Sequence, residues 1–232
     1  MTDLSMPMLK RDVMPAEGMT VERTYVDEES LPFPDKSLDA VVSNLSMHWI
    51  NDLPSTLLQI KGCLKPDGAF IGSLFGGDTL FELRTALQLA ELERSGGISP
   101  RVSPMTDVKD VGSLLNKAGF KLTTVDVDDI VVEYPDIFAL MQDLQAMGET
   151  NAILQRRQGP ISRDLLMAAD AIYRSLHAER NATGQIVGRG IPATFRVIYM
   201  IGWAPGAGQS APSARGSADT SLKDTLASMK EH

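Results

Sequence analysis

An α/β fold is predicted by three observations on residues 31–84. Leu38 to Ser43 (LDAVVS) is a short apolar run between Pro34-Asp35-Lys36-Ser37 and a polar-aromatic loop, and reads as a buried strand. Ala69 to Phe75 is a second such run. It follows Lys65-Pro66-Asp67-Gly68, a tight turn in which Pro presets φ and Gly accepts φ > 0. Between the runs, Leu57, Leu58, Cys63 and Leu64 recur at helical spacing after Pro54, a residue favoured in a helix's first turn. Strand, helix and strand in this order make a parallel pair with a helical crossover. Such a pair opens a ligand crevice at the carboxyl ends of its strands.

The other elements follow from the same patterns. Residues 4–12 begin a helix, with Leu4, Met8 and Leu9 on one side and Pro7 confined to the first turn. Val21 to Val26 reads as a strand. Residues 79–94 form a helix in which Thr79 and Glu82 match a capping box and Leu80, Leu83, Leu87 and Ala90 share a face. Residues 107–118 form another, with Val108, Val111, Leu114, Leu115 and Ala118 as its stripe and Gly119 as its left-handed stop. Phe120 to Val127 and Ile130 to Val132 read as strands, 136–147 and 162–180 as helices, and Thr194 to Trp203 as a late strand. One domain over 1–204 is expected, with helical insertions near 78–95 and 136–180. A flexible tail follows at 205–232, rich in Gly, Ser, Ala and Pro over 205–221.

Composition narrows the function classes. The 232 residues are 43% hydrophobic with a formal charge of −8, enough apolar content for a sizeable core. The acidic balance argues against a nucleic-acid or anionic-membrane surface, which needs clustered Lys and Arg. Lone Cys63 excludes an internal disulfide, and its helical setting reads as a buried structural thiol. No apolar run is long enough to span a bilayer, and the first residues form no convincing presequence.

The stretches LPFPD, DAVVSNLSMHW, LKPDG and FGGDTLFELR, continued by GFKLTTVDVDDIVVEYP, MQDLQAMGETN, IYMIGWAP and, faintly, RGSADTSLKD, carry a resemblance over nearly the whole chain. They resemble the class I S-adenosylmethionine-dependent methyltransferases of type 11. Within these they are similar to the subgroup holding the malonyl-carrier-protein methyltransferase of biotin synthesis and the mitochondrial complex I assembly factor 5 family. The resemblance implies a Rossmann-like sheet with flanking helices and S-adenosyl-L-methionine as cofactor. It implies action on a complex I iron–sulfur subunit or assembly intermediate, by methylation or by arginine hydroxylation; a non-catalytic scaffold is the third reading. It also implies a place on the matrix side of the mitochondrial inner membrane, with peripheral membrane association.

In that family a Gly-rich turn follows the first strand and an acid closes the second. No Gly-rich turn of that kind precedes residue 31, and Met1 to Ser5 resembles the end of strand two. The chain is therefore expected to lack the first strand, its glycine loop, the first helix and most of strand two. Strand one lies centrally in the family's sheet, so Leu38 to Asn44 should present an unpaired edge, and this chain alone should bind cofactor poorly.

The same resemblance places the cofactor residues. Asp3 falls on the ribose-binding acid, with a solvated terminal acid as the alternative. Asp27 and Glu28 fall where relatives meet the adenine ring; an exposed acidic turn is the alternative. Asn44 would face the methionine part, or simply form a turn. In the loop that follows, His48 is the candidate general base or substrate-orienting group and Trp49 a wall for the reacting methyl, against plain structural packing. Methyl transfer from a sulfonium needs positioning more than acid–base help, so the catalytic residue is left open. Gly76-Gly77-Asp78 with Arg84 lies on the substrate side, and Arg84 and Arg196 are candidates to meet an acidic partner or else solvated surface. Met141, Leu144 and Met147 read as core. No metal site is predicted: an iron oxygenase uses two His and a carboxylate, and His48, His177 and His232 form no His-x-Asp/Glu pair.

Overall fold

The computed structural model describes residues 1–11, 16–154, 156–157, 159–178, 190–210 and 215–217. In chain order these hold β1 (Thr2–Asp3), α1 (Met6–Leu9), β2 (Thr24–Tyr25), β3 (Leu38–Asn44), a 3-10 turn at Met47–Trp49, α2 (Leu53–Cys63) and β4 (Leu64–Phe75). α3 (Phe81–Ser95), α4 (Val108–Ala118), β5 (Lys121–Tyr134), α5 (Ile137–Met147), α6 (Arg163–His177) and β6 (Ile191–Trp203) complete them. Most of the expected tail, and the last two residues of the helix expected over 162–180, lie outside the described residues.

The strands form two separate sheets. β1 and β2 pair in parallel, and a four-stranded sheet runs in the order β3-β4-β6-β5. β3 and β4 are parallel, as a helical crossover requires, while β6 is antiparallel to both its neighbours. β3 therefore ends the larger sheet, as expected of Leu38 to Asn44.

Alternation along the central strands sorts the core onto two faces. Phe70 and Leu74 of β4 and Ile198 and Met200 of β6 bury against α2 and α4, through Leu57, Ile60, Val111 and Leu115. The opposite parity, Phe75 of β4 with Ile191, Ala193, Phe195 and Val197 of β6, packs under α3, α5 and α6. That second layer covers only one end of its face. At the other end Ile71 and Tyr199 stay exposed, and so does Val42, at 69%.

Local chemistry explains most boundaries. Asp52 caps α2 by accepting from Ser55 N (3.1 Å), Asp136 caps α5 from Ala139 N (2.8 Å), and Ser162 caps α6 from Leu165 N (3.3 Å). Gly119 and Gly148 close α4 and α5 in the left-handed conformation that costs glycine nothing (φ 89° and 85°).

Three expectations are corrected. Lys65-Pro66-Asp67-Gly68 is not a turn before a strand; it is an irregularity inside β4, absorbed where the register slips between Leu38 and Ala40. Its left-handed residue is Asp67 (φ 63°). Gly68 matters for closeness, since a Cβ there would lie 2.9 Å from Lys65 O and 3.0 Å from Asp39 O. The two strands expected over 120–132 are one, because β6 pairs with Lys121 and, after a register slip, with Thr124 through Tyr134, carrying Asp128 and Asp129 with it.

The capping box also fails. α3 begins at Phe81 after Leu80 in a left-handed conformation, with no side-chain cap. Thr79 Oγ1 instead donates to Arg196 O and accepts from Arg196 N, both at 3.1 Å. Glu82, 2% exposed, accepts from Thr194 N (3.2 Å) and from the Thr194 hydroxyl. Both residues tie α3 to β6 instead of to its own amides. Removing the Glu82 carboxylate strands the buried Thr194 donors, so E82A is expected to cost about 1–3 kcal/mol in urea unfolding. In a double-mutant cycle it should couple to T194V; coupling to a Thr79 substitution instead would restore the capping box.

Candidate functional site

The segment joining β2 to β3 is stitched to α2 and the loop before it. Glu29 accepts from Asn51 N (2.8 Å) and Asn51 Nδ2 (3.1 Å), Gln59 Nε2 donates to Glu29 O (2.9 Å), and Leu31 N donates to Gln59 Oε1 (2.9 Å). That fastening holds Glu28 over the end of β3, where Ser46 Oγ donates to its Oε1 (3.3 Å) and shares a further contact with Ser43 Oγ (3.3 Å).

β3 itself ends in a short hydrogen-bonded cluster. Leu45 N donates to both Ser73 O (3.0 Å) and Ser73 Oγ (3.2 Å), and Ser73 Oγ donates to Asn44 Oδ1 (2.7 Å). These bonds hold Leu45 at φ 49°, a conformation a branched side chain resists. The chain then turns into Met47–Trp49.

Between the β1–β2 pair and the outer edge of β3 lies a cleft of about 530 Å³, within the range of small-molecule sites. Asp3, Glu28 and Asn44 line it together, with Leu31, Phe33, Met47 and Ile50 as apolar wall. Asp27 is not among the lining residues; it sits in an exposed turn, its carboxylate accepting from Glu29 N (2.9 Å). Asp3 braces its own strand end by accepting from Ser5 N (2.7 Å). Asn44 has spent its oxygen on Ser73, which leaves its amide N–H groups to offer. Burial is the main force pushing the Glu28 pKa above its ordinary value; the charges of Asp3 and Asp27 add to it, and the Ser46 hydroxyl and His48 oppose it. Cys63 also lines the cleft as a buried thiol, its Sγ donating to Phe33 O (3.4 Å) and its pKa raised by burial and then by Asp35.

His48 is no lone histidine. Its Nε2 lies 3.0 Å from Glu149 Oε1 and 3.3 Å from Oε2, and Trp49 Nε1 donates to the same Oε1 (3.4 Å). The imidazole packs on Phe75, with ring centroids 4.9 Å apart. Glu149 follows the Gly148 stop of α5, and its own N–H returns to Leu144 O (2.8 Å), which fixes where its side chain leaves the backbone. Trp49, Phe75, Leu83, Leu144, Glu149 and Phe195 border a small hollow of about 50 Å³, which shares Leu83, Leu144 and Glu149 with a groove of about 450 Å³. Met141 also lines that groove, Leu144 is core, and Met147 is exposed.

Sequence reasoning missed Glu149, because its partner is 101 residues away and a Glu after a helix-stop Gly carries no signal of its own. It also missed the buried pair Glu91–Arg101 (2.6 Å), which fastens the loop after α3 beside the groove. Arg84 donates to Gly77 O (3.1 Å) and Thr79 O (3.3 Å), and Arg196 is held by Asp129 (2.7 Å) and Asp78, so both candidate arginines are engaged within the fold. Among the described residues no cluster of three or more His, Cys, Asp or Glu is placed to hold a metal ion, and no helix is long and apolar enough to cross a membrane.

A parallel β3–β4 pair joined by a crossover helix, with acids gathered in a cleft along the edge of β3, is the arrangement of a class I methyltransferase-type domain. Residues 1–72 match the family model described as "Methyltransferase domain". The chain belongs to the family of the mitochondrial arginine-hydroxylase NDUFAF5. It is 46% identical to that protein of Danio rerio over 97% of this chain and 67% of the relative, and 53% identical to that of Homo sapiens over 84% of this chain and 54% of the relative. It is also 35% identical to the malonyl-[acyl-carrier protein] O-methyltransferase of Xylella fastidiosa, over 88% of this chain and 64% of that one. Among solved structures, the YcgJ protein from Bacillus overlaps loosely, with a TM-score of 0.47 at 15% identity over 80% of this chain and 71% of that one.

The raised pKa of Glu28 has a consequence for stability. The folded state prefers the protonated carboxyl, so its favourable contribution is complete below the ordinary value of 4.5 and fades as pH rises through the raised one. E28Q, which cannot ionise, should therefore melt higher than the parent at neutral pH, with the gap closing towards pH ~4. Melting curves across that range check the sign.

Proposed function

We propose that this chain belongs to an enzyme that modifies an arginine of a protein, and that it carries the nucleoside-facing part of that enzyme's S-adenosylmethionine site. The modification named for its relatives is hydroxylation, and the place of action is the matrix side of the mitochondrial inner membrane, on an iron–sulfur subunit during complex I assembly. One observation carries the cofactor half: Asp3, Glu28 and Asn44 line one cleft of about 530 Å³ although 25 and 16 residues separate them along the chain. Identity of about half to the NDUFAF5 arginine-hydroxylases supports the substrate half and the mitochondrial setting.

The residues present suit the nucleoside end of the cofactor. Two carboxylates accept hydrogen bonds from ribose hydroxyls and the adenine amine, and Leu31, Phe33, Met47 and Ile50 supply the apolar wall a purine ring needs. Asn44 would offer N–H donors towards the methionine end. When bound, S-adenosylmethionine supplies a cationic sulfonium, which the local negative charge favours. Around it this chain's residues bind and orient: Ser46 holds Glu28, Ser73 holds Asn44, and the 3-10 turn separates the cleft from the hollow beside Trp49.

Calorimetric titration with S-adenosylmethionine tests the first half. In the full-length protein, saturable binding should weaken about tenfold or more in D3A, the loss expected of a hydrogen bond to a charged group. Unchanged affinity in both D3A and E28Q would remove the site. Mass spectrometry of the arginine-bearing subunit from cells lacking this protein tests the second: loss of an added oxygen supports hydroxylation, loss of an added methylene supports methyl transfer, and an unaltered subunit sinks both.

A further inference from the structure

The small hollow beside the 3-10 turn is organised around a carboxylate. Glu149 is 14% exposed and its partner His48 only 3%. An ionised carboxylate has about four acceptor positions. One imidazole nitrogen and one indole N–H occupy part of them, so acceptor capacity remains on a side chain that lines both the hollow and the larger groove. Arg101 lines both spaces as well, but it is already paired with Glu91 through Nε (2.8 Å) and Nη2 (2.6 Å), so it does not neutralise Glu149. His48 Nδ1 is buried without a hydrogen-bond partner among the described residues, so the ring's only polar tie there is to Glu149.

The walls suit a flat cation. Trp49 is 39% exposed, and Phe75 and Phe195 border the same hollow, so aromatic rings surround a buried carboxylate. A guanidinium is planar, stacks on such rings and gives a carboxylate two parallel hydrogen bonds; an ammonium does neither as well. The 3-10 turn sets this hollow beside the cleft, because Met47 lines the cleft while Trp49 lines the hollow.

We propose that Glu149, positioned by His48 and Trp49, receives the guanidinium of the arginine to be modified, and that the groove of about 450 Å³ takes the residues flanking it. The assignment rests on the reading that the substrate is a protein arginine. Arg156 and Arg157 also line the groove. They repel a bare cation and attract acids beside it, so the site favours an arginine set among acidic residues.

The probe is acetyl-Asp-Arg-Asp-amide, compared by calorimetry with the same peptide carrying citrulline, which keeps the shape and loses the charge. The protein should prefer the arginine peptide by about tenfold or more, and E149Q should abolish that preference while melting near the parent temperature. Equal binding of the two peptides by the unaltered protein overturns the assignment without reference to any variant. A preference kept intact in E149Q overturns it too. If E149Q still modifies its subunit in cells at the parent level, Glu149 is not the receptor although the arginine reading stands. If the subunit arginine carries no mark at all, that reading falls, and the peptide comparison still judges the hollow on its own.

Discussion

The turn at the end of β3 governs the arrangement of everything chemical in this molecule. A leucine in the left-handed region costs on the order of 1–2 kcal/mol, and such strain persists only where neighbours over-determine it. Here one buried serine does that work: Ser73 accepts the Leu45 amide twice and donates to Asn44. The chain then enters the 3-10 turn at Met47–Trp49. Ser46, Met47 and Ile50 line the cleft while His48 and Trp49 meet Glu149, so the cleft and the hollow lie on either side of a single 3-10 turn.

Charge is distributed between these spaces with some economy. The cleft gathers Asp3 and Glu28, with Asp27 close enough to raise the Glu28 pKa, and only hydroxyl groups meet the Glu28 carboxylate directly. Several acids elsewhere are answered by arginine: Glu91 by Arg101, Asp170 by Arg174, and Asp129 and Asp78 by Arg196. Those pairs hold loops and strand edges. Glu28 at the cleft and Glu149 at the hollow are held instead by a hydroxyl, an imidazole and an indole N–H. A net charge of −8 thus understates the local contrast that recognition depends on.

The sequence made the architecture legible wherever one period dominated. The strand at Leu38, the α4 stripe with its Gly119 stop, and the helix starting at residue 136 or 137 all follow from local rules. Local rules misread residues whose partners are distant. Thr79 and Glu82 have capping-box spacing, yet β6, more than 110 residues on, offers them buried donors and acceptors that solvent-facing helix amides cannot match. Asp128 and Asp129 look like a strand break, but pairing to β6 and the Arg196 bond carry them through. Of the site, the acids Asp3 and Glu28 and the amide Asn44 could be placed by resemblance, and they do share one cleft. Glu149 could not be placed, because nothing short of the fold brings it to His48.

The unequal cover of the sheet ties binding to stability. One face buries Phe70, Leu74, Ile198 and Met200 against α2 and α4; the other is covered under α3, α5 and α6, leaving Val42, Ile71 and Tyr199 in water. Exposed apolar area of this kind contributes nothing to the fold until something covers it. The outer edge of β3 is at once the end of the sheet and, through Ala40, Val41 and Val42, a wall of the cleft. A ligand seated there against Asp3 and Glu28 removes β3 side chains from water as it binds. Its affinity then adds to the stability of the native state by mass action, most strongly at the strand whose end carries Asn44 and Leu45.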